Sequence, residues 1–319
     1  MTGATSNKPQ AYMDTIKNGI KAEAERLGFC LCGFTSAEPV EDFSRYTRWL
    51  EEDPVGTMKY LSREDALAKR ADPHLLLPDA RSIIVLAVPM GLCFTGGEYS
   101  VASYARYADY HETIPPMAEQ LITFIKELTG TDFSFRICVD SSPILERSLA
   151  VRAGLGWIGK SSMFIAPGHG SALFLCEILL SLEFPPDEPY TRDGCGSCRR
   201  CADTCPNGCI DPETRTIRAD RCAAYLTIEH KGDFSEEQAA LIGTHLFGCD
   251  ECLRACPHNS RNSGKSPLPL ADVIPTPADA DLSEAEFKAK FRNSPVLRTK
   301  AKGLKRNLEA IEKNLTAGS

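Results

Sequence analysis

Nine of the fourteen cysteines in this 319-residue chain lie between Cys195 and Cys256, and this clustering constrains the chain more than any other feature. Clustered cysteines outside an oxidising compartment indicate metal ligation rather than disulfide bonds. The first run has the spacing of bacterial two-cluster ferredoxins and ends in proline. It reads Cys195-x2-Cys198-x2-Cys201-x3-Cys205-Pro206.

A second run, Cys249-x2-Cys252-x3-Cys256-Pro257, lacks a leading cysteine, which Cys222 can supply from a distance. The resulting eight thiolates predict two 4Fe–4S clusters. Because the last cysteine of each run reaches the neighbouring cluster, the spacing predicts crossed pairing. The predicted sets are Cys195, Cys198, Cys201 and Cys256 for one cluster and Cys205, Cys222, Cys249 and Cys252 for the other. Four-thiolate zinc sites are the alternative, which the crowding of four cysteines within eleven residues disfavours.

The remaining cysteines fit no ligand position. Cys209 follows the first run, and we expect it to be a small buried residue. We also expect the five cysteines of the N-terminal half to be core thiols, because their surroundings are apolar or strand-like: Cys30, Cys32, Cys93, Cys138 and Cys176.

The chain before the cysteine runs alternates helix-like and strand-like segments, which predicts an α+β fold. We expect a mixed α/β catalytic domain at residues 1–184, a ferredoxin-like module at 185–265 and a short, basic helical tail at 266–319. The predicted helices are Tyr12–Leu27, Phe43–Leu50, Met58–Leu61, Pro115–Leu128 and Pro143–Ala153, the last with Ser142 as its N-cap. The predicted strands are Phe29–Phe34, Ser82–Val88, Phe133–Val139, Ser161–Ala166 and Ala172–Leu182.

Charge and hydropathy limit the partners of the chain. The polar N-terminus has no export segment and the apolar runs are too short to span a bilayer, so we expect a cytoplasmic protein without a membrane partner. A net charge of −7 gives no general attraction to nucleic acid. However, Lys288 to Arg306 contains eight basic and no acidic residues. This stretch is either a solvated helix face or a contact for phosphate.

The segment from Gly154 to Ser161 matches the phosphate-loop pattern letter for letter. That motif works only between a strand and the start of a helix, where amide groups meet phosphate. Here a predicted helix precedes the loop and a predicted strand follows it. We therefore do not interpret this loop as a nucleotide site.

With these motifs placed, the chain resembles the epoxyqueuosine reductases, cobalamin-dependent enzymes that complete queuosine synthesis on tRNA. The resemblance covers about Leu27 to Asn307 and includes both cysteine runs, for which the family has the same crossed pairing. The other matching stretches are Lys69–Pro78, Asp109–His111, Val139–Arg147, Ala153–Lys160 and Tyr225–Gly232.

The resemblance implies that the N-terminal domain binds base-off cobalamin, whose cobalt the clusters reduce. It implies that Asp140, in the V-D-S segment, is the catalytic acid, and that Arg70 contacts cobalamin. Phe164 and Leu175 align with positions that line the corrin, and Lys231 lies near a tRNA contact of the family. Without the family, Asp140 reads as a carboxylate at a helix N-terminus.

The implied reaction constrains two side chains. Reduction of an epoxide to an alkene consumes two electrons and two protons, and a positioned carboxylic acid suits the protonation step. We expect Asp140 to have a raised pKa through burial beside an apolar cofactor. The D-x-H-x-x-G cobalamin signature is absent, so no histidine lower ligand is predicted; His111 either faces the substrate or is a buried structural histidine.

The implied partners are tRNA carrying epoxyqueuosine and an electron donor of flavodoxin or ferredoxin type, with the protein as a monomer. Many family members continue into a C-terminal helical-repeat domain, and we expect this chain, which stops at Ser319, to be a short form. Two other functions compete. A corrinoid reductive dehalogenase would share the core but usually has an export signal. A two-cluster electron-carrier subunit would leave the N-terminal half unexplained.

Overall fold

The computed structural model describes residues 7–53, 55–93, 98–260 and 266–317, without the side chains of 7–11 and 317. The α-helices in these residues are α1 (Asn7–Arg26), α2 (Phe43–Glu52), α3 (Glu64–Ala71), α4 (Tyr110–Thr129), α5 (Glu146–Arg152), α6 (Arg200–Asp203), α7 (Ala223–Ile228), α8 (Glu236–Leu241), α9 (Glu251–Ala255), α10 (Glu284–Lys290) and α11 (Lys300–Ala317). The strands are β1 (Leu31–Ser36), β2 (Ser82–Pro89), β3 (Ser100–Val101), β4 (Phe135–Cys138), β5 (Trp157–Ile158), β6 (Phe164–Ile165), β7 (Leu173–Leu180), β8 (Ile210–Asp211), β9 (Thr216–Ile217) and β10 (His245–Phe247). This mixture of helices and strands confirms the predicted fold class.

The N-terminal half is built on an antiparallel sheet with the strand order β1-β2-β7-β4. Strand β2 is buried along its length except at its last residue, which confirms the prediction from its apolar run. Because strand side chains alternate between faces, Ile84 and Leu86 pack with α1 and α4, whereas Ile83 and Val85 pack with α5. Helices therefore cover both faces of the sheet.

Three predicted helix starts were wrong. Helix α1 begins at Asn7 rather than Tyr12. Helix α4 begins at Tyr110, five residues before the predicted start, because the Asp109 side chain accepts a hydrogen bond from the His111 backbone N–H and caps it. Helix α5 begins at Glu146 rather than Pro143, and Ser142 is not its N-cap. The chain between Asp140 and Glu146 is instead a loop, which begins with Asp140 at φ +52°.

The cysteine-rich half shares its core with other parts of the chain. Strand β10 pairs in parallel with β3, so the cysteine region contacts the N-terminal half across the predicted boundary at residue 184. The tail helices α10 and α11 pack against the same core through Phe287, Phe291 and Leu304. No helix in the described residues is long and apolar enough to cross a membrane.

The basic stretch of the tail divides into structural and exposed residues. Arg306 is buried and donates hydrogen bonds to the carbonyl oxygens of Leu226, His230 and Gly232. Lys300 and Lys305, by contrast, are exposed. The interpretation of the whole stretch as a solvated or phosphate-binding face was therefore wrong for Arg306, because burial commits its guanidinium to backbone acceptors.

Candidate active site

A cavity of about 930 Å³ opens between the N-terminal half and the cysteine-rich half. Its lining comes from α2, from the starts of α4 and α5, from β9 and from the segments that follow α7 and precede α11. Three residues predicted from the sequence lie on its wall: Arg70, Asp140 and Lys231. The volume is near the upper end of the range for ligand pockets, so the cavity suits a large cofactor or a nucleoside.

Asp140 projects into this cavity from the loop between β4 and α5. Its side chain is 62% exposed, because the cavity is open to solvent. One carboxylate oxygen, Oδ2, accepts hydrogen bonds from the Tyr110 hydroxyl at 3.1 Å and from His111 Nε2 at 3.3 Å. The backbone N–H of Asp140 donates to Glu146 Oε1 at 2.7 Å. A positive φ at a non-glycine residue is strained and concentrates at functional sites, which agrees with a functional role for this loop.

His111 lies between two carboxylates. Its Nδ1 is 2.8 Å from Asp109 Oδ1, and its Nε2 faces Asp140. The hydrogen bonds with Asp109 and then with Asp140 raise the pKa of His111 to about 9. At neutral pH the imidazole is therefore protonated. Its position at the cavity wall favours the active-site alternative for His111 over that of a buried structural histidine.

In this arrangement the pKa of Asp140 is lowered, and the expectation of a pKa raised by burial beside an apolar cofactor stays a prediction. Burial raises the pKa of the carboxyl group, but the hydrogen bond and charge of His111 and the hydrogen bond from Tyr110 outweigh it. The net pKa of Asp140 lies below its ordinary value, so the shared proton resides on His111. The sequence argument considered burial alone and omitted the cationic neighbour.

Two further acids lie behind the Asp140 loop. Burial and the charge of Asp140 raise the pKa of Glu146 to about 7. Glu177, on β7, is 0% exposed, and its two carboxylate oxygens have no hydrogen-bond partner. Burial and then the charge of Glu146 raise the pKa of Glu177 well above its ordinary value, so Glu177 is neutral.

Basic side chains also line the cavity. Arg298 is held by a bidentate ion pair with Glu229, at 2.8 Å for both bonds. The guanidinium of Arg70 lies 5.2 Å from the centre of the Tyr46 ring. Within the described part of the chain, no ion pair is recorded for Arg70 or Lys231. Their charges are available to an anionic ligand, such as one that carries phosphate.

Two predicted cofactor contacts do not lie on the cavity wall. Phe164 is buried in the core beneath α5, and its strand partner Ile158 is the residue that lines the cavity. Leu175 lies on β7 opposite Ala87 and packs against the same core. Contact of these two side chains with a cofactor stays a prediction.

The first predicted cysteine set is brought together by the fold. Burial raises the pKa of Cys201, and its interacting thiol neighbours are Cys195, Cys256 and Cys198. Cys256 likewise interacts with Cys195 and Cys198. The last cysteine of the second run thus lies with the first run, as the crossed pairing requires.

The second set also converges. Burial raises the pKa of Cys252 well above its ordinary value, and the thiols that interact with it are Cys249, Cys222 and, more weakly, Cys201. Cys205 interacts with Cys222, and Cys209 lies between them with its Sγ 3.4 Å from that of Cys205. Among the described residues, no group of three or more His, Cys, Asp or Glu side chains is arranged to hold a single metal ion.

The cysteines outside the two sets are placed mostly as predicted. Cys209, Cys138 and Cys176 are buried, and Cys30 and Cys32 are half-buried. Cys93 is exposed, so its interpretation as a core thiol was wrong. It lies in the loop beyond the end of β2, where the sheet no longer covers it.

The loop that matches the phosphate-loop pattern lies between α5 and the hairpin of β5 and β6, which confirms the predicted order of helix, loop and strand. That the loop is not a nucleotide site stays a prediction. Sequence reasoning missed Tyr110 and Glu146 as site residues. Both stand in stretches that carried the family resemblance, beside His111 and Arg147, and this proximity was the available signal. No residue pattern in the sequence indicates that either residue contacts Asp140.

Comparisons with known proteins agree with this site. Residues 194–259 match the family model "4Fe-4S double cluster binding domain". Residues 70–141 match the family model "Epoxyqueuosine reductase QueG, DUF1730". The chain therefore contains a double-cluster domain, with all eight predicted cysteine ligands inside it.

Curated relatives match along most of the chain. The epoxyqueuosine reductase of Cellulophaga algicola is 37% identical over 301 residues, which are 92% of this chain and 97% of the relative. That of Xanthomonas campestris is also 37% identical, over 88% of this chain and 81% of the relative. The Escherichia coli protein is 36% identical over 77% of this chain and 66% of the relative.

Solved structures agree in fold. Epoxyqueuosine reductase from Streptococcus thermophilus matches with a TM-score of 0.79 and 29% identity, over 94% of this chain and 82% of that one. A structure of epoxyqueuosine reductase with a tRNA-Tyr epoxyqueuosine-modified stem loop matches with a TM-score of 0.78 and 27% identity, over 95% and 82%. From these relatives, the family-model match and the agreement in fold, we conclude that the chain belongs to the epoxyqueuosine reductase family.

Proposed function

We propose that this protein reduces epoxyqueuosine to queuosine at the wobble position of tRNA. The observation that carries the proposal is the position of Asp140, with its protonated neighbour His111, on the wall of a large cavity in a chain of this family. The reaction consumes two electrons and two protons and releases the epoxide oxygen as water. The chain therefore needs an electron supply, a proton supply and a site for tRNA.

Electrons are supplied by two 4Fe–4S clusters. Cys195, Cys198, Cys201 and Cys256 hold one cluster, and Cys205, Cys222, Cys249 and Cys252 hold the other. The interactions within each set support this assignment, since Cys256 lies with the first run. Cys209 is not a ligand, although it lies beside the second set. Reduced flavodoxin or ferredoxin is the type of partner that would reduce these clusters.

Cobalamin is the cofactor proposed for the cavity. The cavity has the size for a large cofactor and a wall of mixed aromatic and basic side chains, so the residues present fit such a group. Arg70 is placed to bind its polar periphery, since its guanidinium lies on the cavity wall and forms no ion pair with the described part of the chain. When bound, cobalamin supplies low-valent cobalt, which delivers electrons to the epoxide carbon.

The proton comes from the pair of Asp140 and His111. The Nε2–H of the His111 imidazolium lies 3.3 Å from Asp140 Oδ2, so a proton can pass from that nitrogen to the carboxylate. Asp140 then protonates the departing alkoxide oxygen as a general acid. The second proton, which completes the released water, follows the same path after His111 takes up a proton from the solvent that reaches the open cavity. Tyr110, bound to the same carboxylate oxygen, fixes its orientation.

The Asp140 loop is able to move. In a Bacillus subtilis epoxyqueuosine reductase, 27% identical with a TM-score of 0.76, the catalytic aspartate loop is described as swung out of the active site. Here the hydrogen bond from the Asp140 backbone N–H to Glu146 holds the loop against the cavity, although the backbone of Asp140 is strained. We propose that release of this bond accompanies entry of the substrate nucleoside.

The tRNA contacts the basic mouth of the cavity. Lys231 lies on the cavity wall and forms no ion pair with any residue that the structure describes, and Lys300 and Lys305 of the tail are exposed. One related structure contains an epoxyqueuosine-modified tRNA stem loop. Phosphate contacts by lysines position a nucleic acid without reading its sequence.

The test is reconstitution under anaerobic conditions, followed by metal analysis and mass spectrometry of tRNA nucleosides. We expect about eight irons and one cobalamin per chain, and conversion of epoxyqueuosine to queuosine. Cys256→Ala should lose about half of the iron, while the matched variant Cys209→Ala keeps it. An iron-free protein, or a loaded protein that leaves epoxyqueuosine unchanged, contradicts the proposal. A pure electron carrier would bind iron but no cobalamin.

A further inference from the structure

We propose that Trp157 is a positioning residue that raises the reduction potential of the cluster bound by Cys195, by donating its indole N–H to the Cys195 thiolate. The inference rests on the proposed clusters and assigns a role to the glycine loop Gly154–Lys160, which the function described above does not use. The Trp157 Nε1 lies 3.4 Å from Cys195 Sγ and donates to it.

The indole ring is fixed by its surroundings. Trp157 is 6% exposed, and its ring is packed by Tyr190, stacked at 5.8 Å, and by His258, edge-on at 5.0 Å. On the remaining side lies Gly194, where an added Cβ would fall 2.3 Å from Trp157 Cζ2. Only glycine at position 194 lets the chain pass the ring and continue into Cys195.

Four hydrogen bonds connect the loop to the first cysteine run. Lys160 Nζ donates to the carbonyl oxygen of Gly196 at 2.8 Å. Arg215 donates to the carbonyl oxygen of Ile158 at 2.6 Å and to Asp193 at 2.8 Å. Asp193 in turn accepts from the backbone N–H of Cys195 at 3.0 Å. One network of hydrogen bonds thus holds the segment that carries the Trp157 indole N–H and the segment that carries the Cys195 sulfur.

Two glycines of the loop are required by packing within the hairpin of β5 and β6. An added Cβ would lie 2.1 Å from the carbonyl oxygen of Ile165 at Gly156 and 2.4 Å from Ile165 Cδ1 at Gly159. At Gly159 the same Cβ would lie 3.5 Å from Cys195 Sγ, an ordinary contact distance, so the loop lies directly against the first cysteine run. Packing in the hairpin thus accounts for glycine at these two positions of the pattern.

The electrostatic consequence has a definite sign. A cluster becomes more negative when it accepts an electron, so an N–H···S bond stabilises the reduced form more than the oxidised form and raises the potential. Removing the N–H should therefore make this cluster harder to reduce. Cys249, in the other set, instead faces His245 Nε2 at 3.5 Å, so the second cluster is an internal reference without an indole donor.

The experiment is a potentiometric titration of the reconstituted protein, with the clusters followed by electron paramagnetic resonance. Trp157→Phe keeps an aromatic ring but removes the N–H. We expect one midpoint potential to become more negative and the other to stay unchanged. Tyr190→Phe, which keeps the ring that stacks on Trp157, is the matched control and should leave both midpoints unchanged.

Pulsed electron paramagnetic resonance of the wild type with ¹⁵N-labelled tryptophan gives a second test, which does not depend on the variant folding. We expect a ¹⁵N coupling in the reduced cluster, carried through the N–H···S bond. Unchanged midpoints in Trp157→Phe, or an absent ¹⁵N coupling in the wild type, would overturn the inference. The iron content and both cluster signals of the wild type report on the proposed clusters separately.

Discussion

The raised pKa of His111 is the property of the site that can be tested most quantitatively. Two single substitutions separate the contributions of its two carboxylate partners. Asp109→Asn and Asp140→Asn each replace one carboxylate partner of the imidazole by a neutral amide. Asparagine caps helices about as well as aspartate, so the first change preserves the cap of α4. Asp109 is the nearer partner, at 2.8 Å from Nδ1 against 3.3 Å between Nε2 and Asp140.

The free energy that the two carboxylates contribute follows from the raised pKa of His111. A rise from 6.5 to about 9 corresponds to about 3.4 kcal/mol at about 1.36 kcal/mol per pH unit. Because the His111 side chain is 33% exposed, solvent screening reduces this value to about 2 kcal/mol. Asp109 supplies the larger share. We therefore expect Asp109→Asn to lower the pKa by about one pH unit or more and Asp140→Asn by less.

The assay is nuclear magnetic resonance of ¹³C-labelled histidine in the oxidised protein as a function of pH, with His111→Gln to assign the resonance. The stability of the protein gives a second readout. Because the folded-state pKa of His111 lies above the unfolded value of 6.5, its contribution is fully present below pH 6.5 and is lost as the pH rises through about 9. The difference in unfolding free energy between the wild type and Asp109→Asn should shrink over that interval.

Two results would refute this reasoning. The first is a wild-type His111 that titrates near 6.5, since the carboxylates would then not hold its proton. The second is a larger fall in pKa for Asp140→Asn than for Asp109→Asn. That result would reverse the order that the distances require.

Two other predictions concern buried ionisable side chains. Arg306→Lys should lower the free energy of unfolding by about 2–4 kcal/mol in chemical denaturation, because lysine cannot reproduce the guanidinium bonds to three carbonyl oxygens. Lys305→Ala, at an exposed neighbour, should change it by less than about 0.5 kcal/mol. Glu177→Gln should become progressively more stable relative to the wild type as the pH rises above about 4.3, because the buried wild-type acid binds a proton that the unfolded chain releases. A pH-independent difference between Glu177→Gln and the wild type would show that this acid is not buried in its neutral form.

The parts predicted well from the sequence were those that depend on local pattern. Cysteine spacing was sufficient to predict a double-cluster domain, because short gaps bring several thiols to one cluster, whereas the crossed pairing stays a proposal. The buried strand β2 followed from its continuous apolar run, and the order of helix, loop and strand around Gly154–Lys160 followed from the local pattern.

The parts predicted poorly depend on contacts between distant segments. The net lowering of the Asp140 pKa arises from His111, 29 residues away, and no local pattern encodes that approach. The start of α5 was misplaced because Pro143 is a typical first helical residue, whereas the Asp140 loop continues to Glu146. Burial of Arg306 was missed because a basic stretch resembles a solvated face until its acceptors are known.

The measurement that tests the central claim most directly is single-turnover reduction of epoxyqueuosine tRNA by Asp140→Asn, loaded with iron and cobalamin. An amide cannot protonate the departing alkoxide, so we expect the rate to fall at least about 100-fold, with iron and cobalt contents equal to the wild type. Asp79→Asn, at an exposed carboxylate outside the cavity lining, should react at the wild-type rate. A loaded Asp140→Asn protein that turns over at the wild-type rate would contradict the account.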